Sequence, residues 1–173
     1  MTSPRSFIPL NLAVLTVSDT RTEADDTSGR CLADCILEAG HRLISRQIVP
    51  DNIYRIRAIV SGWVADPDIH AILTTGGTGV TGRDGTPEAL KVLLDKELEG
   101  FGELFRSLSY REIGTSTLQS RALAGVANGT YLFCLPGSTN ACRLAWTTII
   151  QAQLDFRTRP CNLVDLMPRL LEP

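Results

Sequence analysis

Apolar positions follow two alternating rhythms along this chain. Residues 10–17, LNLAVLTV, form a short run rich in branched side chains and closed by Ser18-Asp19-Thr20, the pattern of a buried strand. From Asp26-Thr27-Ser28-Gly29 onward, Leu32, Cys35, Ile36 and Ala39 recur at i, i+3, i+4 and i+7. That spacing predicts a helix, and Gly40 suits its C-terminal cap. A second strand is expected over 43–49, LISRQIV. After Pro50-Asp51-Asn52 comes a second helix, with Ile53, Ile56, Val60, Trp63 and Val64 on one side. IHAILTT, 69–75, reads as a third strand, apolar almost throughout as strands covered on both faces are.

The second half continues in the same way. Thr86-Pro87 should start a helix, the threonine as cap and the proline in the first turn, and Leu90, Leu93 and Leu94 continue it. Phe101, Leu104, Phe105 and Leu108 give another helix that stops near Gly114. The stretch 114–125, GTSTLQSRALAG, passes from polar to small apolar residues and takes no clear assignment. TYLFCL, 130–135, is a strand, PGSTN a turn, and Ala141, Leu144, Ala145, Thr148, Ile149 and Ala152 the stripe of a final long helix. The last residues, 160–173, carry three prolines and read as a tail packed on the body or on a neighbouring subunit. Strand–helix alternation of this kind predicts an α/β fold: one domain over 1–173, with a mostly parallel sheet and helices on both faces.

Composition narrows the function. With 43% hydrophobic and 21% charged residues, the chain reads as an ordinary soluble globular protein. A formal charge of -2 and only 17 scattered Lys and Arg argue against nucleic acid as partner. No apolar run approaches the roughly 18 residues of a membrane span. Five cysteines without a C-x-x-C pair, and two histidines far apart, leave no zinc motif. The odd cysteine count, with no signal peptide, points to the reducing cytoplasm.

The segment TTGGTGVTGRDGTPEAL, 74–90, carries the chemistry. Five glycines (Gly76, Gly77, Gly79, Gly82 and Gly85) fall within ten residues, between a buried strand and a helix start. In open parallel sheets ligands bind beyond the C-terminal strand ends, and clustered glycines let backbone N–H groups turn toward an anion. A phosphate-bearing ligand is therefore expected. Gly77, Gly79 and Gly82 satisfy G-x-G-x-x-G, but the loop follows the third strand rather than the first, and the helix waits for Pro87. A Walker A reading fails too, because Arg83 and Asp84 stand where Lys and Ser/Thr are needed.

Asp84 beside a phosphate site repels the ligand unless a divalent cation lies between, and Mg²⁺ is usually held by one or two carboxylates plus phosphates. Asp51 should lie at the same end of the sheet if its strand neighbours the third. The pair could thus face one metal–triphosphate; either aspartate could equally be a helix cap or turn residue. Gly137, Ser138 and Thr139 could form a second anion site, and Ser18, Asp19, Asp26 and Ser28 lie at other strand and helix ends.

At TTGGTGVTGRDGTPEA the chain resembles the MoaB/MogA family of molybdenum cofactor biosynthesis proteins. LTVSDTR, DDTSG, GFGELFRSLSYREIGTSTLQSRALAG and LPGSTNACR agree as well, the last two being closer to the MoaB branch. The resemblance implies a three-layer α/β/α sandwich, assembly as a trimer or hexamer, and molybdopterin as substrate. It also implies adenylylation of the molybdopterin phosphate with Mg²⁺ and ATP, or, as the alternative, a MoaB-type protein that binds a pterin or nucleotide without turnover. Carried onto this chain, Asp51 and Asp84 match the acidic, metal-facing positions and Thr75, Gly76, Gly77, Thr78 and Gly79 the phosphate and pterin loop. Ser120, Arg121, Pro136, Gly137 and Ser138 match further pocket segments, with Arg83 or Arg121 neutralising charge. A nicotinamide-dependent oxidoreductase is the third reading.

Overall fold

The computed structural model describes residues 5–172, so residues 1–4 and the final Pro173 of the tail lie outside it. Four strands fall where the apolar runs predict them: β1 (Asn11–Val17), β2 (Arg42–Val49), β3 (Ala71–Thr75) and a strand at Thr130–Leu135. Two more have no counterpart in the apolar pattern: β4 (Lys96–Glu97), between the third and fourth helices, and β5 (Leu123–Ala127), which overlaps the unassigned 114–125 stretch; the Thr130–Leu135 strand is thus β6. The sheet order is β2-β1-β3-β6-β5-β4. β2, β1, β3 and β6 run parallel, while β5 and β4 pair antiparallel.

The antiparallel arm follows from one dipeptide. Asn128 and Gly129 have φ of 46° and 81°, and Ala127 pairs with Thr130 across them. A two-residue loop with both centres at positive φ matches the right-handed twist of the flanking strands. Asn-Gly is the residue pair that adopts it most readily, so this hairpin had a local signal that the periodicity reading passed over.

β1 shows how the layers form. Successive side chains on a strand point to opposite faces. Leu12 and Val14 join one apolar cluster with Leu32, Ile36, Phe105, Phe133 and Trp146, while Ala13 and Leu15 join another with Ile56, Val60, Leu90 and Leu132. The first cluster is covered by α1 (Thr27–Glu38), α4 (Glu99–Ile113) and α5 (Thr139–Ala145), the second by α2 (Ile53–Val64) and α3 (Thr86–Lys91). This is a three-layer α/β/α sandwich. Each fully buried Leu, Ile or Phe contributes roughly 1.5–3 kcal/mol.

Two helices depart from their expected form. α5 runs into a π-helical turn, Trp146–Ile150, and a last turn, α6 (Gln151–Gln153). The wider turn shifts the buried face, so Trp146 and Ile150 pack inward while Thr148 and Ala152, expected on the stripe, are exposed. α3 is capped at Gly85 rather than Thr86; Thr86 is its first residue and Pro87 its second. The tail packs on the body, where Val164 is buried and Asp165 pairs with Arg5.

Candidate functional site at the strand ends

Because β2, β1, β3 and β6 are parallel, the loops after them open at one end of the sheet. β2 and β3 are not neighbours, as the placing of Asp51 assumed; both flank β1, and parallel alignment still brings their ends together. The glycine loop sits at the centre of this end. Gly76 N–H donates to the Leu135 carbonyl at the end of β6 (3.1 Å), and Thr75 Oγ1 donates to the Pro136 carbonyl (2.9 Å).

Most of the loop's glycines are required by the protein itself. Gly76 has φ of 102°, and a Cβ there would collide with the Val17 carbonyl oxygen. At Gly77, φ 64°, a Cβ would overlap Thr86 Oγ1 and lie 2.7 Å from Asp51 Oδ2. At Gly79 it would lie 2.7 Å from Asp84 Oδ2. Gly82 faces open space. Gly137 stacks against the same loop, where a Cβ would be 3.1 Å from Gly76 Cα.

Asp51 and Asp84 therefore border the loop at Gly77 and Gly79. Asp84 turns back on its own loop and accepts from Thr81 N–H (2.9 Å) and Thr81 Oγ1. The Thr81 hydroxyl bond, more than any other contact, holds its carboxyl below the usual range. Asp51 differs. Burial, opposed by a long Gly85 N–H contact (3.4 Å) and reinforced by the charges of Asp84 and Asp19, pushes its carboxyl up. Asp19 accepts from Asp51 N–H (3.0 Å) and from the Arg83 guanidinium, so Arg83 is engaged with Asp19.

Arg121 reaches the loop from below. Its Nε donates to the carbonyls of Thr78 (3.2 Å) and Gly79 (2.7 Å), and its Nη2 donates to the Asp84 carbonyl (2.8 Å). Its other nitrogen pairs with Glu88. The expected charge-neutralising group is thus a staple for the loop backbone. Ser120 and Arg121 also line a cavity of about 450 Å³ with Pro87, Lys91, Arg106 and Leu118.

The remaining predicted residues divide. Ser138 caps α5 by accepting from Ala141 N–H (3.1 Å), and Ser18 accepts from Thr20 and Arg21 N–H groups. Asp26 is fully buried as the cap of α1; its carboxylate accepts from Gly29 N–H (2.9 Å), Thr16 Oγ1 (2.8 Å) and Arg46 (2.7 Å). Burial alone would raise its pKa, but these donors outweigh it and hold the carboxyl low. Ser28 lies buried beside it, with Oγ 3.5 Å from Asp26 Oδ1. These residues build the frame around the loop. Thr86 and Arg46 carry no signal of their place here in the sequence: the pattern makes Thr86 a helix cap, and Arg46 meets Asp26 only through the β2–β1 pairing.

The profile described as "Probable molybdopterin binding domain" matches residues 13–155. Molybdenum cofactor biosynthesis protein B of Escherichia coli is 61% identical over 156 residues, covering 90% of this chain and 92% of that protein. A crystal structure of a molybdenum cofactor biosynthesis protein B superposes with a TM-score of 0.82 at 44% identity, covering 88% of this chain and 94% of that one. The chain belongs to the MoaB/MogA family. A MogA structure matches with a TM-score of 0.72 at 27% identity, over 79% of this chain and 89% of that one.

Within this MoaB/MogA fold, a divalent cation suits the donor set around Gly77 and Gly79. Asp19, Asp51 and Asp84 are hard oxygen donors, and the two guanidinium groups nearby are already engaged, Arg83 with Asp19 and Arg121 with the loop carbonyls and Glu88. Among the described residues no three His, Cys, Asp or Glu side chains converge as a metal cluster. A cation here would thus complete its shell from a ligand's phosphates, as Mg²⁺ commonly does. Also among the described residues, no helix is long and apolar enough to cross a membrane.

Proposed function

We propose that this chain acts in molybdenum cofactor biosynthesis by binding molybdopterin and adenylylating its terminal phosphate with ATP and Mg²⁺. The observation that carries the reading is the placement of Asp51 and Asp84 along one glycine loop, at the strand ends of a MoaB/MogA fold. Mg²⁺ held by these carboxylates supplies charge neutralisation for the triphosphate. The protein's own share is positional. Gly77 to Gly79 present backbone N–H groups to phosphate, Arg121 keeps the loop carbonyls turned inward, and Ser120, Gly137 and Ser138 border the ligand. The molybdopterin phosphate is already ionised at neutral pH, so its oxygen attacks the α-phosphorus without a general base as pyrophosphate leaves. The gain then comes from orientation and electrostatics. The same reading has the chain working in the cytoplasm as a homo-oligomer, a trimer or hexamer, beside other proteins of the pathway.

A second reading is favoured by the names of its relatives: 61% identity is to a protein B, whereas the MogA likeness is 27%. On that reading the site holds a pterin or nucleotide without turnover. One experiment separates the two. Purified protein incubated with molybdopterin, ATP and Mg²⁺ should yield adenylylated molybdopterin by mass, and Asp84→Asn should abolish it. Bound pterin with no product would leave the second reading standing.

A further inference from the structure

Thr86 stands out among the buried polar groups. Its residue is fully buried, yet Oγ1 has no hydrogen-bond partner. Burying a hydroxyl without a partner is costly, and native structures rarely tolerate it without a reason. Its position is not accidental slack: Thr86 N–H donates to the Gly77 carbonyl (3.0 Å), tying the residue to the loop.

The orphaned oxygen faces a second under-satisfied one. Both lie against Gly77: a Cβ there would overlap Thr86 Oγ1 and lie 2.7 Å from Asp51 Oδ2. The other Asp51 oxygen receives only the long Gly85 contact of 3.4 Å. Asp19, which could compete for cations, is already bound by Arg83. So a neutral hydroxyl and an anionic carboxylate both approach the side of Gly77 that a Cβ would fill, amid a local excess of negative charge. Two oxygens of this kind are the donors a hard cation takes.

The geometry points to Thr86 as a cation-positioning residue, whose hydroxyl ligates a divalent metal together with Asp51 at Gly77. This rests on the Mg²⁺-dependent reading and adds to it a protein oxygen that no count of acidic side chains would reveal. With α3 capped at Gly85, the Thr86 hydroxyl has no capping role and stays unpartnered beside Asp51.

Mn²⁺ is the probe, its binding to the full chain followed by loss of the free-ion electron paramagnetic resonance signal, with Asp51→Asn identifying the site. Thr86→Val keeps the shape and removes the oxygen. It should weaken the Asp51-dependent Mn²⁺ affinity about tenfold or more, while Thr86→Ser restores it. Thermal melting of the same variants shows that they remain folded. If Thr86→Val raises the melting temperature and leaves Mn²⁺ binding unchanged, the hydroxyl is only an unsatisfied buried group and the inference falls, with the metal reading intact. If the wild type shows no Asp51-dependent Mn²⁺ binding, the inference falls, while the Mg²⁺–ATP reading stands or falls by the adenylylation assay.

Discussion

Arg121 Nε donates to the Gly79 carbonyl at 2.7 Å and so fastens the middle of the glycine loop to the strand-entry segment before β5. With the Thr78 and Asp84 carbonyls also bound, a single guanidinium fixes the loop at three places.

Arg121→Ala should therefore loosen the loop specifically. A stability loss of about 2 kcal/mol is expected, in line with hydrogen bonds from a charged donor. Hydrogen exchange of residues 76–85 should accelerate. Arg121→Lys should recover only part, because an ammonium cannot reproduce the planar fork. Unchanged exchange in the alanine variant would reject the staple.

The glycines should respond unequally. Gly76→Ala places a methyl against the Val17 carbonyl at positive φ, and a loss of about 2 kcal/mol or more is expected from such strain. Gly82→Ala meets open space and has no positive φ, so it should stay within about 0.5 kcal/mol of wild type. Urea unfolding of the two variants side by side measures the contrast. Equal losses would mean that the loop is not packed as described.

Among the described residues, Asp26 and Arg46 form the most buried ion pair, with the carboxylate fully covered. Arg46→Met strands that charge and should cost about 3 kcal/mol, as breaking a buried pair does. The pH sign follows from the depressed folded pKa. The pair's contribution is present above the unfolded carboxylate pKa and disappears as pH falls through the folded one. The melting-temperature gap between wild type and Asp26→Asn should accordingly close on acidification; a gap independent of pH would contradict the assignment.

Asp51 carries the opposite sign. Burial above all, then the charges of Asp84 and Asp19, raise its folded pKa, so its charge destabilises the fold at neutral pH. Asp51→Asn should therefore raise the melting temperature at pH 7. That gain should shrink as pH falls through the raised pKa, where wild type gains its own proton. A variant less stable than wild type at pH 7 would show that Asp51 is a structural group.

The fold was legible where side chains were large and periodic. Leu12 to Val17, Leu32 with Ile36, and Leu132 with Phe133 announce their elements through pattern alone. β5 stayed hidden because LAGVA is buried through small residues, which carry little periodic signal, and because its partner choice was written in Asn128-Gly129 rather than in hydrophobicity. The loop and its two aspartates could be found from glycine spacing. What Arg121, Arg46 and Thr86 do could not, since each meets partners fixed only by tertiary pairing.

The parallel order of the strands also has a consequence for how the chain is made. β3 is anchored on one side by β1, but its other edge waits for β6, and Thr75 Oγ1 finds its acceptor at Pro136, 61 positions later. A nascent chain that has emerged only as far as β3 exposes that edge, with its backbone groups unpaired, to any other strand nearby. The glycine loop is therefore locked only late in synthesis. Premature termination before β6 should yield an insoluble fragment rather than a partly folded soluble one.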